Sequence, residues 1–343
     1  MKRLAKTVLA LAASLSLLTA CGGGGSGSGG GAASASLDAE TQTLVTKAKE
    51  AGPVTIYSMI DEAALRSISD GFSKKYGLKV TPVRLVSSDL TQRYSAEATA
   101  GKPVADLVLL TDSPFYADAL KKGWIYSYPD LQLPPAAQKV PEGFMSNNGA
   151  TPVVSLVPTD TVINTDNVKD KPSSWKDYAD PKYKGKLMLA EPNSSPANAA
   201  FWSLMRDTYG DSFLQGVAAN QPKWMSSAVP VTQAVAAGEG DLGHPGVAAV
   251  IDNLTKQGAP VERVSLTPTT GPEVALAVSK GSANEAGGKL MASYLLSAEG
   301  NKILNDSTSA ISPFDTEATK GFTRVKDIKS VDAAKIRSLL GLK

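Results

Sequence analysis

Cysteine and histidine are almost missing from this chain: Cys21 is the single cysteine and His244 the single histidine in 343 residues. One thiol cannot close an intramolecular disulfide, and neither residue type occurs in the clusters that hold structural or catalytic metal. So little histidine also removes the usual base of a serine nucleophile, and no G-x-S-x-G elbow occurs. Ser173-Ser174-Trp175-Lys176 satisfies S-x-x-K, but its companion S-D-N and K-T-G motifs are absent. Enzyme chemistry is therefore disfavoured. No internal repeat is visible, no block of like charge, and no apolar run approaching the ~20 residues of a membrane-spanning helix. Charge is nearly balanced, with 35 basic and 33 acidic side chains. Without the three basic side chains of residues 1–20, 32 stand against 33, which argues against a general nucleic-acid role.

What is present begins at the N-terminus. Lys2, Arg3 and Lys6 precede an apolar run from Val8 to Leu18 and then small residues, the pattern of a secretory signal over residues 1–20. Leu18-Thr19-Ala20-Cys21 is similar to a bacterial lipobox, whose cysteine is diacylated, and two acyl chains suffice for stable anchoring. Gly22 to Gly31 is almost pure glycine and serine, so residues 21–36 read as a flexible tether from a lipidated Cys21. These signals place the protein outside the cytoplasm, held to a membrane. With about 300 residues remaining, two domains are expected.

The remainder alternates β-rich apolar runs with helical patterns, which predicts an α/β fold with largely parallel sheets. Val54-Thr55-Ile56-Tyr57 reads as a strand. Leu65, Ile68, Phe72 and Tyr76 then recur at spacings of three and four up to Gly77, the apolar face of one helix. Leu78–Val86 and Asp106–Leu110 read as further strands. In doubly wound sheets ligands bind beyond the carboxyl ends of strands, which nominates the segment from Ser58 to Asp61 and the run Thr111-Asp112-Ser113. A proline-rich stretch, Tyr128 to Pro141, precedes a compositional boundary near residue 150. Ser195-Pro196 reads as an N-cap with proline at the first helical position, and Ser226-Ser227 leads into another short helix. Helix starts carry unpaired N–H groups that favour an anion. Capping alone also accounts for Ser195 and Asp61, and Trp202, at helical spacing, reads as core.

Longer motifs carry a resemblance. Trp175-Lys176-Asp177-Tyr178-Ala179-Asp180-Pro181-Lys182-Tyr183-Lys184-Gly185-Lys186-Leu187, continuing to Glu191-Pro192, resembles the midpoint signature of extracytoplasmic solute-binding proteins of ABC importers, in the branch of ferric-iron and phosphonate binders. Val162-Ile163-Asn164-Thr165, Ala237-Gly238-Glu239-Gly240-Asp241-Leu242, Gly258-Ala259-Pro260-Val261-Glu262 and the run from Ser293 to Gly300 are similar to its other landmarks, in order, so that the likeness spans residues 52–343. The resemblance implies a type II periplasmic-binding-protein fold: two doubly wound lobes joined by crossover segments near 150–158 and 262–272. Lobe one would comprise 37–150 plus 270–312, and lobe two 151–269 plus 313–343. It implies a monomer without cofactor that closes on a solute and presents it to a membrane permease. The site would draw on Ser58, Asp61, Thr111, Asp112 and Ser113 from lobe one, and Ser194, Ser195, Asn198, Ser226 and Ser227 from lobe two.

The chain departs from ferric binders at one point. Where they carry two consecutive tyrosines it has Gly243-His244-Pro245-Gly246, so no metal site is expected and His244 reads as a loop residue. Small hydroxyl residues and helix starts suit an organic oxyanion such as a phosphonate, phosphate ester, sulfonate or carboxylate. Asp61 and Asp112 are available to pair with an ammonium group on a zwitterionic solute, or else to cap and to face solvent. The alternatives are a ferric-iron importer component and a receptor that signals to a membrane sensor.

Overall fold

The computed structural model describes residues 37–327 and 332–342. The expected signal, Cys21 and the Gly/Ser tether lie outside the described residues. No helix among the described residues is long and apolar enough to cross a membrane.

From Asp38 the chain alternates as the pattern predicts: α1 (Ala39–Ala51), β1 (Val54–Ser58), α2 (Glu62–Tyr76), β2 (Val80–Arg84), α3 (Ser87–Thr99), β3 (Leu107–Thr111) and α4 (Pro114–Lys121). The periodic residues Leu65, Ile68, Phe72 and Tyr76 are all buried on one face of α2. Asp61 opens that helix by accepting from Ala64 N at 2.9 Å, and Gly77 closes it in the left-handed region at φ 66°. After the proline-rich passage come β4 (Met145–Ser146) and β5 (Thr151–Leu156). Next follow β6 (Asp160–Asn164), β7 (Leu187–Ala190), α5 (Pro196–Tyr209), α6 (Asp211–Ala219), β8 (Lys223–Met225), α7 (Ala228–Ala236), β9 (Leu242–Gly246), α8 (Ala248–Lys256) and β10 (Val261–Val264). β11 (Glu273–Val278), α9 (Glu285–Leu296), α10 (Ala298–Thr308) and α11 (Ala333–Leu339) complete the chain.

The strands form two sheets, in the orders β2-β1-β3-β11-β5-β4 and β10-β6-β9-β7-β8. β1 pairs in parallel with β2 and β3, and β7 with β8 and β9. The sheets are mixed rather than largely parallel, because β11 runs antiparallel to β3 and β5, and β6 antiparallel to β9 and β10. The reason lies in the crossings. β5 leads out of the first sheet and β11 leads back into it from the same edge, so the two must run in opposite directions; β6 and β10 stand in the same relation in the second.

That pairing corrects the expected partition of the chain. Thr151–Leu156, which the resemblance places in lobe two, is β5 of the first sheet, all six residues buried. Residues 313–327 were likewise assigned to lobe two, yet Phe322 packs into the apolar core beneath the first sheet and Arg324 pairs with Glu273 at the start of β11. α11 does pack on α5 and α6 of the second half.

The crossings themselves are hydrogen-bonded side by side. Val157 N donates to Pro272 O at 2.8 Å, Thr159 Oγ1 to Thr270 O at 2.8 Å, and Thr269 N to Gly321 O at 2.8 Å. Gly271 is required at this seam, since a Cβ there would stand 2.0 Å from Val157 O.

Candidate functional site

Beside these crossings lies a cavity of about 420 Å³ that takes its lining from both halves of the chain. One wall is built from helix starts. Ser195 caps α5, accepting from Asn198 N at 3.2 Å, while α7 and α8 begin at Ser227 and Val247 without any side-chain cap. Ser195, Ala197 and Asn198 of the first, Ser227 and Ala228 of the second, and Val247, Ala248 and Ala249 of the third all line the cavity. First-turn amides have no intrahelical acceptor, so those of Ala197, Ala228, Ala248 and Ala249 remain as donors here, whereas Pro196 has none to give. Opposite stand Thr308 and Ser309, where α10 ends in a left-handed turn (Ser309 φ 51°), with Val157, Pro158, Thr159 and Pro272 of the crossings. None of the described lining residues is Asp, Glu, Lys, Arg, His or Tyr. Its field therefore comes from backbone dipoles, positive at the three helix starts and negative at the one helix end, that of α10.

Of the ten nominated residues, Ser194, Ser195, Asn198 and Ser227 are brought together at this cavity. The others are not, and each for a visible reason. Ser58 is fully buried at the end of β1, its Oγ accepting from Ile60 N at 3.2 Å. Asp61 is exposed and spent as the cap of α2. Thr111, half-buried, ends β3 in register with Val274. Ser226 is exposed and lies outside the lining.

Asp112 and Ser113 line a different and larger recess of about 1060 Å³, with Glu142, Asn147, Asn148 and Lys326. Asp112 does not wait there for an ammonium group. Its Oδ2 accepts from Ser146 Oγ and stands 3.9 Å from Arg324 Nη2. Arg324, itself buried, also donates through Nε to Glu273 Oε2 at 2.6 Å, through Nη2 to Ser146 Oγ at 3.0 Å, and to the carbonyl of Gly143.

His244 also departs from its expected place. It is no loop residue: it occupies β9 and is only 2 % exposed. Its ring lies 3.8 Å from that of Phe201 and edge-on to Trp175 at 4.9 Å. Nδ1 is 3.1 Å from Asp160 O; a carbonyl only accepts, so Nδ1 carries the hydrogen. Burial pulls the His244 pKa down to about 3. Trp202 is buried in the same core, and the partly buried Trp224 packs against it at 6.2 Å.

A model of the bacterial extracellular solute-binding protein family matches residues 54–307. The chain belongs to this family. It is 24 % identical over 268 residues to an uncharacterized protein of Haemophilus influenzae, covering 75 % of this chain and 76 % of that one. Its fold is similar to that of IdiA (FutA) from Trichodesmium in complex with iron and citrate, with a TM-score of 0.62 at 20 % identity over 85 % of this chain and 100 % of that one. The periplasmic binding protein AfuA from Actinobacillus pleuropneumoniae, with fructose-6-phosphate bound, aligns with a TM-score of 0.54 at 20 % identity over 84 % and 97 %. The solute-binding protein thus has the type II periplasmic-binding-protein fold and serves as a non-enzymatic solute-binding component of an ABC importer.

Sequence reasoning missed the contribution of Val247, Ala248 and Ala249 to the cavity wall. The strand-end rule that nominated Ser58 and Thr111 applies equally to β9, but Val247, Ala248 and Ala249 have no polar side chain and offer the cavity only backbone groups.

Proposed function

We propose that this solute-binding protein captures a small organic oxyanion between two lobes that close about the crossings, and delivers it to its permease. The observation that carries the reading is the convergence of three helix starts, those of α5, α7 and α8, on one cavity without a charged side chain. A negative ligand is the one such a wall favours, and it needs no counter-charge there. A ferric ion would instead want carboxylate or phenolate oxygens, which this lining does not offer. That AfuA holds a sugar phosphate in the same fold is consistent with the reading.

A thermal-shift screen of carboxylates, phosphate esters, phosphonates and sulfonates, with ferric citrate as the rival, tests it. A ligand at a hundredfold excess over its Kd adds about 2.7 kcal/mol of stability, a shift of several degrees. Ser227→Asp places a fixed carboxylate at the start of α7, where Asp remains a good cap. The variant should melt like the parent alone and lose the shift with ligand. If ferric citrate stabilises the protein and no oxyanion does, the reading is wrong.

We propose further that Cys21 is diacylated and that residues 21–36 tether the folded part to the bacterial cell membrane. Cys21→Ala should move the protein from the membrane fraction to the soluble fraction while its melting temperature stays unchanged. Retention on membranes after a high-salt wash would rule the anchor out.

A further inference from the structure

Asn198 lines the cavity in the first turn of α5 and is 7 % exposed. Its amide is oriented by Ser194. Ser194 Oγ donates to Glu191 O at 2.7 Å, which commits the hydroxyl hydrogen, and accepts from Asn198 Nδ2 at 2.7 Å. Turning the amide over would set Oδ1 against an oxygen with no hydrogen left to give. Among the described residues no donor reaches Oδ1. An acceptor with no donor from the protein therefore belongs to a side chain that lines the cavity together with three helix starts.

A fully ionised oxyanion offers acceptors only, and at this point would set lone pair against lone pair. We infer that Asn198 is a specificity-determining residue, and that the solute carries a neutral O–H beside its anionic group: a 2-hydroxycarboxylate, a hydroxyalkylphosphonate or a singly protonated phosphoryl group. An ammonium donor is disfavoured, because three positive helix starts against the one negative end of α10 line the cavity and the described lining holds no carboxylate. It does not need the ammonium group for which Asp61 and Asp112 were available, and it rests on the oxyanion reading above.

Isothermal titration of the full chain with two matched pairs tests it: glycolate against acetate, and inorganic phosphate against sulfate at mildly alkaline pH, where both are dianions and phosphate alone keeps one proton. Glycolate and phosphate should bind tighter than their partners by roughly ten- to a hundredfold, the effect of leaving one buried acceptor unpaired. Ser194→Ala removes the group that orients the amide, freeing Nδ2 to turn towards the cavity. The preference should then shrink to within roughly threefold, with sulfate gaining affinity. Asn198→Leu, which has no acceptor, should lose the preference as well, and thermal melts establish that both variants fold. If the parent binds acetate and sulfate as tightly as their partners, or both folded variants keep its preference, the role of Asn198 is refuted while the oxyanion reading stands. If neither pair binds at all, both fall together.

Discussion

Arg324→Leu should lower the unfolding free energy by about 3–5 kcal/mol, the loss seen when one partner of a buried ion pair is removed. Glu273, also buried, would keep the bond from Val325 N, which donates to Oε1 at 3.2 Å, but lose the guanidinium that pairs with it. The carbonyl of Gly143 and the hydroxyl of Ser146 would lose donors in the same step, and Asp112 would lose its nearest cation. Because the pair spans β11 and the segment returning from the crossings, urea titration should show the loss in a lower midpoint. Replacing both members, as Arg324→Leu with Glu273→Leu, should recover much of the loss, since two charges are then spared desolvation. A single variant within about 1 kcal/mol of the parent would mean that the pair contributes no more than an exposed one.

Acid should weaken the protein through His244. Its pKa is pulled down to about 3 in the folded chain against an ordinary 6.5, so between those values the unfolded chain binds a proton that the folded chain refuses. The stabilisation is fully present above pH ~6.5 and declines as the pH falls towards ~3, by up to about 1.4 kcal/mol per pH unit. From pH 6.5 to 4.5 the loss should reach about 2 kcal/mol. His244→Phe keeps an aromatic ring against Phe201 and Trp175 and removes the titration, at the cost of the bond to Asp160 O. Its stability should therefore fall less on acidification. Asp106 and Asp160, whose carboxyl pKa values burial raises, act in the opposite sense but are present in both proteins and leave the difference to His244. A parent-minus-variant difference that stays constant from pH 6.5 to 4.5 would show that His244 is not held neutral by the fold.

Features that depend on neighbours within about four residues were legible in the sequence. Ser195-Pro196 starts α5, Asp61 caps α2, and Leu65, Ile68, Phe72 and Tyr76 form one buried face, because caps and helical periodicity involve groups one turn apart. The solute-binding fold was legible too, through a series of motifs in fixed order. Only tertiary structure decided which strands share a sheet and which polar groups share a cavity. Thr159 and Thr270, joined by a hydrogen bond across the crossings, are 111 residues apart, and no local pattern announces that β5 must leave the first sheet and β11 return to it. Ser58 and Ser227 look alike as hydroxyls at element ends, yet one is buried on its own backbone and the other opens onto the cavity. His244 sits between proline and glycine in sequence but between Phe201 and Trp175 in space. In each case the sequence specifies the residue's chemistry, while long-range packing determines what that chemistry faces.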